Sequence, residues 1–232
     1  MNNRARIIVA LDVPSRQEAL SLVQRLRGEV GLFKVGSQLF TKEGPDLVRE
    51  IVSSGEKVFL DLKFHDIPNT VVRAVQSAQS LGVSMLTLHA AGGARMLSEV
   101  VQALAGSGAQ ERPLLLGVTV LTSLSSADLA EVGIASPTAE QVVRLARLAQ
   151  RCGLDGVVAS PEETRLLRQE LGATFKIVTP GIRPAGSDAH DQSRVATPSV
   201  AVQAGADYLV IGRPVVAAHD PLQALRAVVE SI

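Results

Sequence analysis

Asp61, Lys63 and Asp66 close the stretch VFLDLKFHDIPNT, residues 58–70, which begins as an apolar, β-branched run. Unpaired charges in such a run cost several kcal/mol when buried, so they imply a task or a set of partners. An alternation of period two puts Phe59, Asp61 and Lys63 on one strand face, with Leu60 and Leu62 on the other. By itself an Asp-x-Lys pair is most simply a salt bridge closing the end of a sheet. Asp12 and Lys34, at the ends of two other apolar runs, change that reading. A pair that neutralises itself needs no second pair beside it, whereas an alternating array of ammonium and carboxylate is a pre-organised electrostatic site.

A second constellation lies towards the C-terminus. Thr179-Pro180-Gly181 and Ile211-Gly212-Arg213 each put glycine directly after an apolar run, where backbone N–H groups can approach an anion, and Arg213 adds a guanidinium fork. Between them lies PGIRPAGSDAHDQSRVAT, residues 180–197, without periodicity and carrying Arg183, Gln192 and Arg194. A long aperiodic loop in a compact chain is usually functional, and a phosphate-gripping lid is expected here. His65, His89, His190 and His219 show no metal-ligand spacing. Lys34 and Lys63 would also repel a divalent ion from Asp61, so a metal-free site without cofactors is expected. His65 reads as a neighbour of the site, and His89 either as site lining or as a satisfied core histidine.

These residues need elements to hold them. Apolar runs at 7–11, 32–35, 57–62, 85–88, 114–119, 156–159, 176–179 and 208–211 predict eight strands. Stretches with helical spacing follow at 15–27, 43–54, 70–81, 95–104, 138–152, 161–171, 198–204 and 221–231. Ser15, Thr197 and Asp220 fit N-caps, the last two followed by proline at the first helical position. Eight βα units in this length predict an α/β fold, a (β/α)₈ TIM barrel forming one domain over residues 1–232. A doubly wound sheet fits less well, since no G-x-G-x-x-G follows the first run. In a barrel the polar residues singled out above fall at one rim, the C-terminal ends of the strands.

Composition narrows the partners. The chain of 232 residues carries 23 Lys plus Arg against 23 Asp plus Glu, so no positive field favours nucleic acid or an anionic membrane. A small molecule is the expected partner. Cys152 is the single cysteine, which excludes an intrachain disulfide and suits a reducing compartment. The short apolar run before Asp12 is too brief for a signal peptide or a membrane span, so a cytoplasmic protein is expected.

Taken in order, ALDVPS (10–15), FKVG (33–36), DLKFHDIPNT (61–70), LTLHA (86–90), GVTVLTS (117–123), TPGIRP (179–184), DQSR (191–194) and ADYLVIGRP (206–214) resemble the bacterial orotidine 5′-phosphate decarboxylases over essentially the whole chain. The resemblance implies metal-free decarboxylation of orotidine 5′-phosphate to UMP, with Asp12 and Lys34 on the ribose hydroxyls and Asp61, Lys63 and Asp66 as the catalytic array. Thr122 would read the pyrimidine edge, and Pro180, Gln192, Gly212 and Arg213 would hold the phosphate. Arg183 matches the P-G-I-R run of the family. It further implies a homodimer in which Asp66 and Thr70 enter the partner's site. Two readings stay open beside it. One is a Mg²⁺-dependent 3-keto-L-gulonate 6-phosphate decarboxylase, which shares D-x-K-x-x-D but carries a carboxylate where this chain has Lys34. The other is a phosphate-binding barrel without catalysis.

Overall fold

The computed structural model describes residues 2–106, 112–184 and 195–232. Its strands are β1 (Ile7–Ala10), β2 (Leu32–Gly36), β3 (Val58–Phe64), β4 (Met85–His89), β5 (Leu114–Val118), β6 (Gly156–Val158), β7 (Lys176–Thr179) and β8 (Tyr208–Ile211). They pair in chain order, all parallel, and β8 closes on β1, so the sheet is the expected (β/α)₈ barrel. The helices that return the chain between strands match the expected ones, with three early starts. The helix after β2 begins at Ser37, well before the predicted start, and breaks at Gly44 ahead of Pro45. The helices after β3 and β4 begin at Pro68 and Gly93, each two residues early. Ser15, Thr197 and Asp220 each accept a backbone N–H from the first turn of their helices. Short helices at Asn3–Arg6, Ser126–Glu131 and Arg213–Val216 had no periodic signal, being too brief to show one.

Two apolar layers hold the barrel. Residues pointing outward, among them Val9, Phe33, Leu60, Leu86, Leu115, Ile177 and Leu209, pack against the helices. Residues of the opposite parity, Ile8, Leu32, Phe59, Met85, Leu116, Val178, Tyr208 and Val210, fill the barrel. Each buried aliphatic or aromatic side chain contributes roughly 1.5–3 kcal/mol to this packing. Going up the strands by steps of two, the inward column turns polar: Ala10 leads to Asp12, Leu32 to Lys34, Phe59 to Asp61 and Met85 to Thr87. The barrel is thus apolar at its base and charged at its C-terminal mouth.

Close strand approach sets one requirement. A Cβ on Gly156 would lie 2.3 Å from the carbonyl oxygen of Lys176 on β7, a backbone atom that cannot move aside cheaply. Gly156→Ala should therefore destabilise the fold by about 1–3 kcal/mol, read as a lower urea midpoint.

His89 ends β4 and sits against His65, ring centroids 5.3 Å apart. Burial, then repulsion from His65 and Lys63, pushes the His89 imidazole below its ordinary range, with Asp61 opposing. The unfolded chain takes up that proton more readily than the fold does. Stability tied to His89 is therefore present above the ordinary histidine value, about 6.5, and is lost as the pH falls from there through the lower folded value. The drop in urea midpoint between pH 7.5 and pH 5 should be smaller in His89→Gln than in the parent; an unchanged drop would show that His89 contributes nothing to it.

Candidate active site

At the C-terminal mouth of the barrel a cavity of about 450 Å³ opens, a size suited to a small organic ligand. Its floor is apolar, made by Ala10, Phe59, Val118, Val158 and Val210. One wall is a chain of alternating charges. Asp12 Oδ1 lies 3.0 Å from Lys34 Nζ, Lys34 Nζ lies 3.8 Å from Asp61 Oδ2, and Asp61 Oδ2 accepts from Lys63 Nζ at 2.9 Å. Asp61 thus stands between two ammonium groups. Its side chain is 14% exposed and that of Lys34 10%, so these charges are largely out of water and depend on one another.

The strand beneath this chain is irregular. Leu60 pairs with Leu86 and Phe64 with Leu88, so Asp61, Leu62 and Lys63 on β3 face Thr87 alone on β4. Bulges of this kind re-aim side chains beside functional sites. Lys63 takes φ 52°, the one non-glycine residue with positive φ among the described residues. A left-handed backbone costs an L-residue roughly 1–2 kcal/mol, a strain that persists only where the surroundings enforce it. Thr87 supplies part of that enforcement. Its hydroxyl accepts from Lys63 N at 2.8 Å and donates to Asp61 Oδ1 at 3.0 Å. Thr87 lies outside the charge pattern that the sequence displays, although its parity with inward Met85 places a hydroxyl at the level of Asp61.

The opposite wall carries two guanidiniums. Pro180, Gly181, Arg183, Gly212 and Arg213 line the same cavity. Gly181 has φ 74°, a conformation that glycine adopts readily, at the turn that follows β7. Arg183 is 8% exposed, donates to Ile182 O at 3.0 Å, and its Nε is buried without a hydrogen-bond partner among the described residues. Burial and the nearby Arg213 push Arg183 below its ordinary range, so an anion placed between the two guanidiniums would relieve both effects.

Of the residues expected at the site, Asp12, Lys34, Asp61, Lys63, Thr122, Pro180, Arg183, Gly212 and Arg213 meet around this one cavity. Gln38 joins them from the helix after β2, unforeseen because a lone glutamine carries no pattern. Asp66 and Thr70 stand apart. Both are exposed on the rim beyond β3, where the Asp66 carboxylate caps the backbone N–H of Ile67 at 2.6 Å and Ile67 is 67% exposed. His65 and His89 do not line the cavity; they pack on each other beside it. Gln192, Arg194 and His190, with most of the expected lid, lie outside the described residues. Among the described residues no three His, Cys, Asp or Glu side chains come together as a metal site, and no helix is long and apolar enough to cross a membrane.

The chain is similar to known proteins over nearly its whole length. An orotidine 5′-phosphate decarboxylase of Actinobacillus succinogenes is 54% identical over 98% of this chain and 98% of its own length. One from Shewanella sediminis is 53% identical over 100% of this chain and 98% of its own length. Among solved structures, an orotidine 5′-phosphate decarboxylase from Lactobacillus acidophilus superposes with a TM-score of 0.86 at 38% identity, covering 97% of each chain. The model of the orotidine 5′-phosphate decarboxylase / HUMPS family matches residues 5–228, and the chain belongs to that family.

Proposed function

We propose that this protein decarboxylates orotidine 5′-phosphate to UMP and CO₂ in the cytoplasm, the step that completes UMP in pyrimidine biosynthesis, without a metal ion. The observation that carries the reading is the union, in one cavity, of the Asp12–Lys34–Asp61–Lys63 chain with the Arg183 and Arg213 guanidiniums. A nucleoside monophosphate whose base bears a carboxylate is the ligand that both walls would engage. Arg183, Arg213 and the backbone around Pro180 and Gly212 hold the phosphate. Asp12 and Lys34 take the ribose hydroxyls, Thr122 meets the pyrimidine edge, and the ring lies on the apolar floor. A sugar phosphate decarboxylated with Mg²⁺ is the poorer fit, because Lys34 stands where the metal site would need a carboxylate.

In the reaction the bond from C6 to the carboxyl carbon breaks, its electron pair stays on C6 and CO₂ leaves. No conjugated system accepts that pair, so the protein must stabilise it by charge. The Lys63 ammonium faces the developing carbanion and then gives it a proton; the resulting amine regains one from water. Asp61 faces the departing carboxylate. Two like charges about 4 Å apart repel by roughly 4 kcal/mol at an effective dielectric near 20. Enzymatic accelerations draw on roughly 8–23 kcal/mol, so repulsion is the smaller contribution and stabilisation by Lys63 the larger.

Asp66 and Thr70 act in the partner's cavity within a homodimer. Their exposure beside Ile67, on a rim that carries them away from their own cavity, supports this arrangement.

Purified protein mixed with orotidine 5′-phosphate in EDTA should convert it to UMP, followed by pyrimidine absorbance. Lys63→Ala should lower kcat/KM by at least about 10³-fold, since it removes both the proton donor and the stabilising charge. No conversion by folded parent protein would refute the assignment and return Mg²⁺ and a sugar phosphate to the test. A second expectation concerns the dimer. Lys63→Ala and Asp66→Ala variants, each nearly silent, should regain about a quarter of parental sites when unfolded and refolded together, because random pairing in a two-fold dimer leaves one intact site per mixed pair. No recovery would show that Asp66 serves its own chain.

A further inference from the structure

Thr87 is fully buried on β4, and its single hydroxyl has both of its roles occupied by the site: it accepts the Lys63 backbone N–H and donates to the Asp61 carboxylate. Because the ladder between β3 and β4 is interrupted between Leu60 and Phe64, the Lys63 N–H finds its partner in this side chain. The same contact closes on the residue whose φ is 52°. From these three facts we infer that Thr87 is a positioning residue for the charge array, acting through Lys63 and Asp61 with no contact of its own to substrate. The catalytic half of this inference rests on the function proposed above; the conformational half does not.

Lys63 meets the Asp61 carboxylate from a left-handed backbone, and both side chains line the cavity. The Thr87 hydroxyl fixes the amide at that turn and, through its proton, one oxygen of Asp61. The other Asp61 oxygen is left to face the Lys63 and Lys34 ammonium groups. Threonine suits this position because its β-branch restricts the rotamer, so the hydroxyl is held in place before substrate arrives. Valine has nearly the same shape and no hydroxyl, and would leave a buried N–H and a carboxylate oxygen unsatisfied.

The test compares Thr87→Val and Thr87→Ser, with Thr87→Ala replacing the valine variant if that does not fold. In ligand-free protein the Lys63 amide should exchange with solvent about tenfold faster in Thr87→Val, while the amide of Phe33, bonded to Lys57 just ahead of β3, stays as it was. With orotidine 5′-phosphate, kcat should fall on the order of 10²-fold, the cost of misplacing a reacting group by about 1 Å. Affinity for UMP should hold, because the anion wall is untouched, and Thr87→Ser should recover most of the turnover. Unchanged Lys63 exchange in Thr87→Val overturns the inference. So does turnover that stays parental, serine failing to restore what valine lost, or UMP affinity falling in step with kcat. Should the parent protein itself make no UMP, the proposed function fails, and the exchange measurement still decides whether Thr87 sets the conformation of Lys63.

Discussion

The site depends on Asp61 being held between two ammonium groups. A carboxylate at the mouth of a barrel, 14% exposed and lined on one side by aliphatic and aromatic side chains, is costly unless cations and hydrogen-bond donors surround it. Lys63 at 2.9 Å, Lys34 at 3.8 Å and the Thr87 hydroxyl at 3.0 Å meet that demand. Removing either ammonium leaves the remaining charges out of balance, and removing the hydroxyl leaves one Asp61 oxygen without that donor. The residues therefore act as a unit, and single substitutions within it report on the unit rather than on one contact.

The rest of the barrel serves this arrangement. Parallel strands with inward and outward parity give the array its spacing, since Asp12, Lys34 and Asp61 each stand two residues above an interior residue of their own strand: Ala10, Leu32 and Phe59. Charges at the mouth are tolerable because the layers below are apolar and tightly packed, so stability is gathered at the base and along the helices while function is gathered at the rim. The irregular pairing of β3 with β4 is the local exception. Regular pairing would give Lys63 an ordinary extended backbone; its left-handed conformation falls where the ladder is interrupted, with the ammonium beside Asp61 on the cavity wall.

The two walls divide the work by chemistry. Under the proposed function, guanidiniums and backbone groups near Gly181 and Gly212 would hold the part of the ligand that does not react, with Arg183, whose buried Nε has no partner among the described residues, adding to that capacity. The charge chain would face the part that changes. Binding energy collected at the first wall can thus orient the group that reacts at the second, which is how remote contacts raise turnover as well as affinity.

Much of this was legible in the amino-acid order. Strand positions follow from short β-branched runs, helix starts from Ser15, Thr197 and Asp220, and the rim from the polar residues at strand ends, because local propensity and parity are properties of neighbouring residues. The charge pattern D-x-K, with Asp12 and Lys34 on adjoining strands, pointed to the charged wall of the cavity for the same reason. Other features belong to the fold alone. The left-handed Lys63, the interrupted ladder and the two bonds of Thr87 arise from a pairing between strands 24 residues apart, which no local pattern encodes. His89 reads equally well in the sequence as site lining or as core, and only its packing against His65 decides that it stands beside the cavity. The sequence by itself determined which groups are present and on which face of each strand they lie. The tertiary structure decided their distances and order of contact, because those depend on how the barrel closes and where its register slips.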